Sequence, residues 1–153
     1  PEAEGYEVHQ LLGRGSSGTV WRATQAGTLR EVAVKFLAPW HLHGLASVRF
    51  AREAEIAASL EHENIARVFE GGEKNGSQWL AMELVDGPPV DRWVAENNPG
   101  LRERIELFRK ICAAVRHAHQ RGVIHRDLKP ANVLVAAGES VDHGVAIIKF
   151  KED

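Results

Sequence analysis

The sequence predicts an α+β fold in two parts: an N-terminal lobe built on an antiparallel β-sheet with one helix, then a hinge and a helical C-terminal lobe. Three observations predict it. Strand-like alternation fills the first third of the chain. A single strong break, Asp86-Gly87-Pro88-Pro89, interrupts it. The longest amphipathic pattern, 101–121, lies beyond that break. This order of strands with one helix, hinge and then helices differs from a repeating βαβ unit, and it divides the chain at 1–85 and 86–153.

Residues 6–12 read as a first strand, followed by a glycine-rich turn, a second strand at 19–24, a turn at Gly27 and a third strand at 31–37. The third carries Val32-Ala33-Val34, an apolar, β-branched stretch that suits burial. The period then changes. Across 45–60, Val48, Phe50, Ala51, Ala54, Ile56, Ala57 and Leu60 form a broad apolar stripe among Arg49, Arg52, Glu53 and Glu55, which reads as an amphipathic helix. Strand character returns at 65–69 and 78–85, parted by the turn Gly71-Gly72-Glu73-Lys74-Asn75-Gly76. Past the hinge, a short helix at 90–96 stops at Asn97-Asn98-Pro99-Gly100. In the long helix Ile105, Phe108, Ile111, Cys112, Val115 and Ala118 recur at three and four residues, and Gly122 supplies the stop. Short strands and turns complete the chain.

A length of 153 residues leaves room for one domain or two small lobes, and 44% hydrophobic with 26% charged residues points to a packed core. A near balance of 19 Lys+Arg against 21 Asp+Glu argues against nucleic-acid binding, which needs a clustered basic face. No apolar run approaches the ~20 residues of a membrane span, and residues 1–5 do not resemble a signal peptide. Cys112 has no second cysteine to pair with, which fits a reducing cytoplasm.

Three segments carry chemistry. In Gly13-Arg14-Gly15-Ser16-Ser17-Gly18-Thr19-Val20, the glycines let backbone N–H groups approach phosphates with no side chain in the way. Alone, G-x-G-x-x-G is weak: it also serves dinucleotide-binding folds, where it leads into a helix, and it occurs in ordinary hairpins. Here strands flank it, which favours a phosphate-covering hairpin. Next, Val32-Ala33-Val34-Lys35 ends a buried strand on a lysine, which would ordinarily be a snorkelling surface group. The third segment is His125-Arg126-Asp127-Leu128-Lys129-Pro130-Ala131-Asn132, directly after the long helix.

In this order the segments match the glycine loop, the third-strand lysine and H-R-D-L-x-x-x-N, and from Tyr6 onward the chain resembles the protein kinases. The run R-D-L-K-P-A-N-V-L-V is most like the eukaryotic-like (Hanks-type) bacterial kinases of the serine/threonine class. The resemblance implies ATP and Mg²⁺ as cofactors, and a protein substrate presenting serine or threonine. It implies that Gly13, Gly15, Ser16 and Gly18 cover the phosphates. Lys35 would grip the α- and β-phosphates and be held by Glu53; Glu55 lies about 200° around the helix from that residue. Asp127 would accept the proton of the substrate hydroxyl, Lys129 would contact the γ-phosphate, and Asn132 would bind Mg²⁺. Met82 resembles the gatekeeper behind the adenine, and Glu83 and Val85 the hinge residues whose backbone bonds its edge. Val20, Ala33 and Leu134 resemble the apolar plates around the ring, with Leu12 at the rim; plain core packing is the competing reading. Trp21, Trp40, Trp79 and Trp93 read as packing residues, and His125 as a packed core histidine.

The match is disturbed after Asn132, where the family places a β-hairpin and then D-F-G. Asp142-His143-Gly144-Val145-Ala146 resembles D-F-G-V-A and makes Asp142 a candidate metal ligand, but leaves no room for a return strand after Val135. In the preferred placement, Val145-Ala146-Ile147-Ile148 is that strand and Lys149-Phe150-Lys151 occupies the D-F-G position. A third placement uses Asp153. No activation segment, A-P-E or large C-lobe helices can be read in these residues, and the helical lobe they build is expected to be incomplete. The long helix is then expected to expose an apolar stripe, for the missing C-lobe or a partner to cover. The disturbed D-F-G also motivates an alternative, a pseudokinase-like nucleotide-binding or regulatory module. The pairs His41/His43 and His117/His119, two residues apart, would point to different helix faces, and no structural metal site is expected from them.

Overall fold

A computed structural model of the chain describes residues 1–15, 18–38, 52, 54–124 and 128–136, with the backbone alone of 144–147. These form two compact units, and the segment Leu60–Ala66 belongs to the second.

In the first unit β1 (Tyr6–Gly15), β2 (Gly18–Gln25), β3 (Glu31–Leu37), β4 (Val68–Lys74) and β5 (Ser77–Glu83) form an antiparallel sheet in the order β1-β2-β3-β5-β4. Alternation along the strands sends Tyr6, Ala23, Val32, Val34, Phe36, Trp79 and Ala81 to one face, where they bury one another. Strands β1 and β4 are the sheet's two edges, yet they are tied together. The Tyr6 hydroxyl donates to Glu70 Oε1 at 2.5 Å, Glu2 pairs with Lys74 at 3.1 Å, and the Tyr6 ring packs edge-on against Trp79 at 5.4 Å. Burial, then the Glu70 carboxylate, hold the Tyr6 phenol well above its ordinary pKa. Tyr6→Phe removes this link, and we expect a loss of about 1 kcal/mol in urea unfolding.

Residues 52 and 54–58 are helical; the rest of the expected helix at 45–60 lies outside the described residues. Of the expected stripe, Ala54 and Ala57 are buried whereas Ile56 is exposed, and a Cβ added at Gly71 would lie 3.4 Å from that of Ala54. Strand β3 has the expected bounds. Three expectations are corrected. Strand β4 begins at Val68 rather than 65, and the stretch read as a turn from Gly71 is mostly strand, leaving Asn75 and Gly76 as the turn, both with positive φ. Strand β1 likewise runs on through the glycine-rich stretch as far as Gly15.

In the second unit α1 (Val90–Asn97) and α2 (Leu101–Gln120) precede a 3₁₀ turn, Pro130–Asn132, and a hairpin of β6 (Val133–Ala136) with β7 (Gly144–Ile147). Helix α2 ends in a Schellman motif: Gly122, at φ 77°, donates its N–H to the His119 carbonyl and Val123 to that of Ala118. Leu60, Ile65, Trp93, Leu107, Ala114, Ala118, Val133 and Val135 make the core. The expected apolar stripe of α2 divides. Ile111, Val115 and Ala118 pack on this core, while Leu101, Ile105, Phe108 and Cys112 stand exposed along another face. Among the described residues no helix is long and apolar enough to cross a membrane.

Candidate active site

Cross-strand register settles which side chains share a face of the sheet. Val20 lies opposite Lys35, Ala33 opposite Met82, and Lys35 opposite Leu80, while Gly13 lies opposite Val20. Residues directly opposite in an antiparallel pair point the same way. Val20, Ala33, Lys35 and Met82 therefore line one face, the reverse of the face buried by Val32, Val34 and Phe36. Leu80 joins them, a residue the sequence reading passed over although it sits two places before Met82. Lys35 is only 6% exposed, so its ammonium is buried rather than snorkelling. A buried cation needs a charge partner; Glu53, expected in that role, lies outside the described residues, as do Ser16, Asp127 and Asp142.

At the end of the same face Gly15 pairs with Gly18, and Gly18 has a φ of 140° that side chains rarely adopt. A Cβ there would fall 2.9 Å from the Phe36 carbonyl carbon and closer still to its oxygen. Glycine thus lets β2 and β3 close at the loop. Gly18→Ala should cost about 3 kcal/mol, measured by denaturant unfolding. Leu12 falls where the β1–β2 register shifts and is 44% exposed, in keeping with a rim position.

Met82 is buried between Val68 and Ala33 on the neighbouring strands. At Glu83 the backbone N–H is already spent on the Arg67 carbonyl, 2.7 Å away, and its carboxylate accepts from Arg67 N at 3.1 Å. Only the carbonyl of Glu83 is then a candidate for an adenine edge. Val85 follows in the irregular stretch before Gly87.

The second unit holds the other described residues. Asn132 is buried in the 3₁₀ turn, its N–H bonded to the Lys129 carbonyl at 2.9 Å, while the Lys129 side chain is exposed. Leu134 is half-buried on β6, facing away from Val133 and Val135, which fill the core. Strand β7 pairs Val145 with Val135 and Ile147 with Val133. Gly144 and Val145 thus belong to the return strand, and Asp142 precedes it. This pairing is the one required by the placement that puts Lys149-Phe150-Lys151 after the hairpin, and it counts against Asp142 as the D-F-G aspartate. Gly87 was also missed as a site-building residue. The Pro88 carbonyl accepts from Val135 N at 2.9 Å and Pro89 bridges Leu134, fastening the hinge segment onto β6.

Comparison with known proteins gives a match to the protein kinase domain over residues 6–150. Serine/threonine-protein kinase PknJ of Mycobacterium tuberculosis is 36% identical over 147 residues, which cover 95% of this chain and 25% of PknJ. The probable serine/threonine-protein kinase PknB of Lactococcus lactis is 38% identical over 151 residues, covering 94% and 24%. The chain thus spans about a quarter of the length of these curated relatives. Among solved structures, the PknI kinase domain of Mycobacterium tuberculosis superimposes with a TM-score of 0.81 at 33% identity, covering 96% of this chain and 60% of that one. Rad53 1-466 in complex with AMP-PNP gives 0.82 at 29% identity, covering 97% and 38%. The chain belongs to the protein kinase domain family, alongside the bacterial serine/threonine kinases.

Proposed function

We propose that this chain is the nucleotide-binding lobe and catalytic-loop portion of a serine/threonine protein kinase, which moves the γ-phosphoryl of ATP to a serine or threonine hydroxyl of a protein. The observation that carries this reading is the sheet face on which Lys35 is buried among Val20, Ala33, Leu80 and Met82, with the Gly15–Gly18 pairing at its end. Apolar side chains suit a purine, and a buried ammonium beside bare glycine backbone suits a polyphosphate. When bound, ATP supplies the transferable phosphoryl and Mg²⁺ neutralises charge between the phosphates. Lys35, oriented by Glu53, would hold the α- and β-phosphates, and Gly13, Gly15, Ser16 and Gly18 would cover them. Asp127 would orient the attacking hydroxyl and take its proton, and Lys129 would stabilise the outer phosphate. Asn132 would ligate the metal, with a second ligand from beyond β7 rather than Asp142.

Phosphate transfer to a basic protein tests the reading. In the full-length protein Asp127→Asn should lower kcat by about 10²- to 10⁴-fold. The residues described here should by themselves bind nucleotide weakly and transfer very little, and turnover matching a complete kinase would contradict that. The exposed side chains Leu101, Ile105, Phe108 and Cys112 of α2 form an apolar strip that further C-lobe structure or a partner would cover.

One observation favours a second reading, a pseudokinase-like nucleotide binder. Strand β7 ends at Ile147, and in the placement where the D-F-G position follows this strand the sequence offers a lysine, Lys149, instead of the metal-binding aspartate. ATP affinity that is unchanged when Mg²⁺ is removed would support this second reading. Affinity that falls without Mg²⁺ would support the first.

A further inference from the structure

The segment Leu60–Ala66 leads into β4 but packs with the helical unit. Leu60 and Ile65 enter its core beside Ala114 and Ala118 of α2. Between those two anchors His62 meets His117 of α2, ring centroids 5.0 Å apart and tilted by 56°.

Hydrogen bonds fix the protons on both rings. The backbone N–H of Asn64 donates to His62 Nδ1 at 3.0 Å, and Arg121 Nη1 stands 3.1 Å from His117 Nδ1. An amide N–H and a guanidinium can only donate, so each Nδ1 is the bare nitrogen and each neutral ring carries its proton on Nε2. His117 Nε2 is buried and has no hydrogen-bond partner among the described residues. These bonds argue against a metal site: with Nδ1 accepting, a metal on Nε2 would require an imidazolate. They also oppose a second proton, since a cationic His117 would need a proton on the nitrogen that faces Arg121.

We infer that His62 and His117 form an acid-released latch, in which the paired imidazoles hold Leu60–Ala66 on α2 and protonation of His117 lets the segment go. Among the described residues the groups facing His117 are Arg121, which caps the end of its helix, and His62 from the segment, neither of which offers a negative charge. Glu61 and Glu63 flank His62 in the chain and are exposed. Burial, then Arg121 and then His62, set the His117 pKa below its ordinary value. The released state therefore takes the proton first. The latch is fully shut above the ordinary imidazole pKa of about 6.5 and weakens as pH falls from there through the lower folded value. This inference does not depend on the phosphoryl-transfer reading.

Hydrogen exchange of the full-length protein at about pH 7.5 and about pH 5.5, corrected for intrinsic rates, tests the latch. Protection of the Asn64 and Ile65 amides, which bond to His62 Nδ1 and the His62 carbonyl, should fall several-fold at the lower pH, and His117→Phe, which keeps a ring but cannot titrate, should abolish the fall. Equal protection at both pH values, or an undiminished fall in a folded His117→Phe variant, would overturn the inference. Should that variant fail to fold, NMR titration of the parent decides: a His117 pKa below that of a model imidazole supports the latch, and one at or above it refutes it.

Discussion

Lys35→Met is expected to abolish ATP-induced thermal stabilisation and also to lower the melting temperature of the ligand-free protein. The two halves of this result have separate physical causes. Lys35 lies on a strand whose neighbours Val34 and Phe36 are core residues, and it is itself buried. A buried ammonium is held by polar or charged partners, and removing it alone leaves those groups uncompensated, which costs the ligand-free protein stability. The same change removes the cation proposed to face the α- and β-phosphates, an interaction made in a water-poor site where preorganised charge counts most. Transfer in the full-length protein should fall by about 10²- to 10³-fold. Differential scanning fluorimetry with and without ATP and Mg²⁺ separates the effects. A variant that melts lower without ligand yet keeps its ligand-induced shift would show Lys35 to be a structural residue.

The second large effect is expected at Gly87. A Cβ there would stand 2.7 Å from the Val135 carbonyl carbon, nearer still to its oxygen, and 3.1 Å from the Cα of Ala136. All three are backbone atoms of β6, held by pairing to β7 and by the Val135 N–H bond to Pro88, so no side chain can swing aside to make room. Gly87→Ala must pry the hinge segment from β6 and should cost about 3 kcal/mol. The core residues Val133 and Val135 would be disturbed with it. Guanidinium unfolding monitored through Trp93, which shares that core, should show the midpoint falling. An unchanged midpoint would mean that the segment is not fastened as described.

Much of this fold was legible because local and tertiary signals agree. In β3, Val32-Ala33-Val34 is apolar with two β-branched residues, it is buried together with Lys35, and the strand's bounds match the expectation. Helix α2 was legible from its three-and-four spacing and from Gly122, which the Schellman turn uses. Strand β4 was misjudged for a physical reason. Ile65 and Ala66 are apolar because they enter the core beside α2, not because they pair in the sheet, and Gly71-Gly72 imitates a turn although both lie in strand. A Cβ at Gly72 would lie 2.7 Å from Trp79 Cε2 and closer still to Cζ2, so that glycine serves packing. At the site, motif spacing gave the positions but not the faces. That Leu80 joins Lys35, and that the Glu83 N–H is taken by Arg67, follow only from register across strands distant in sequence. The His62–His117 contact was equally hidden, because the regular spacing of His117 and His119 draws attention away from a partner far along the chain.

The most direct measurement is a crystal structure of the chain with a non-hydrolysable ATP analogue and Mg²⁺. The account predicts the analogue's α- and β-phosphates within about 3 Å of Lys35 Nζ, adenine between Ala33 and Leu134, and the terminal phosphate turned toward Asp127. Nucleotide bound on any other surface, or Lys35 and Asp127 opening onto different sides of the protein, would contradict it.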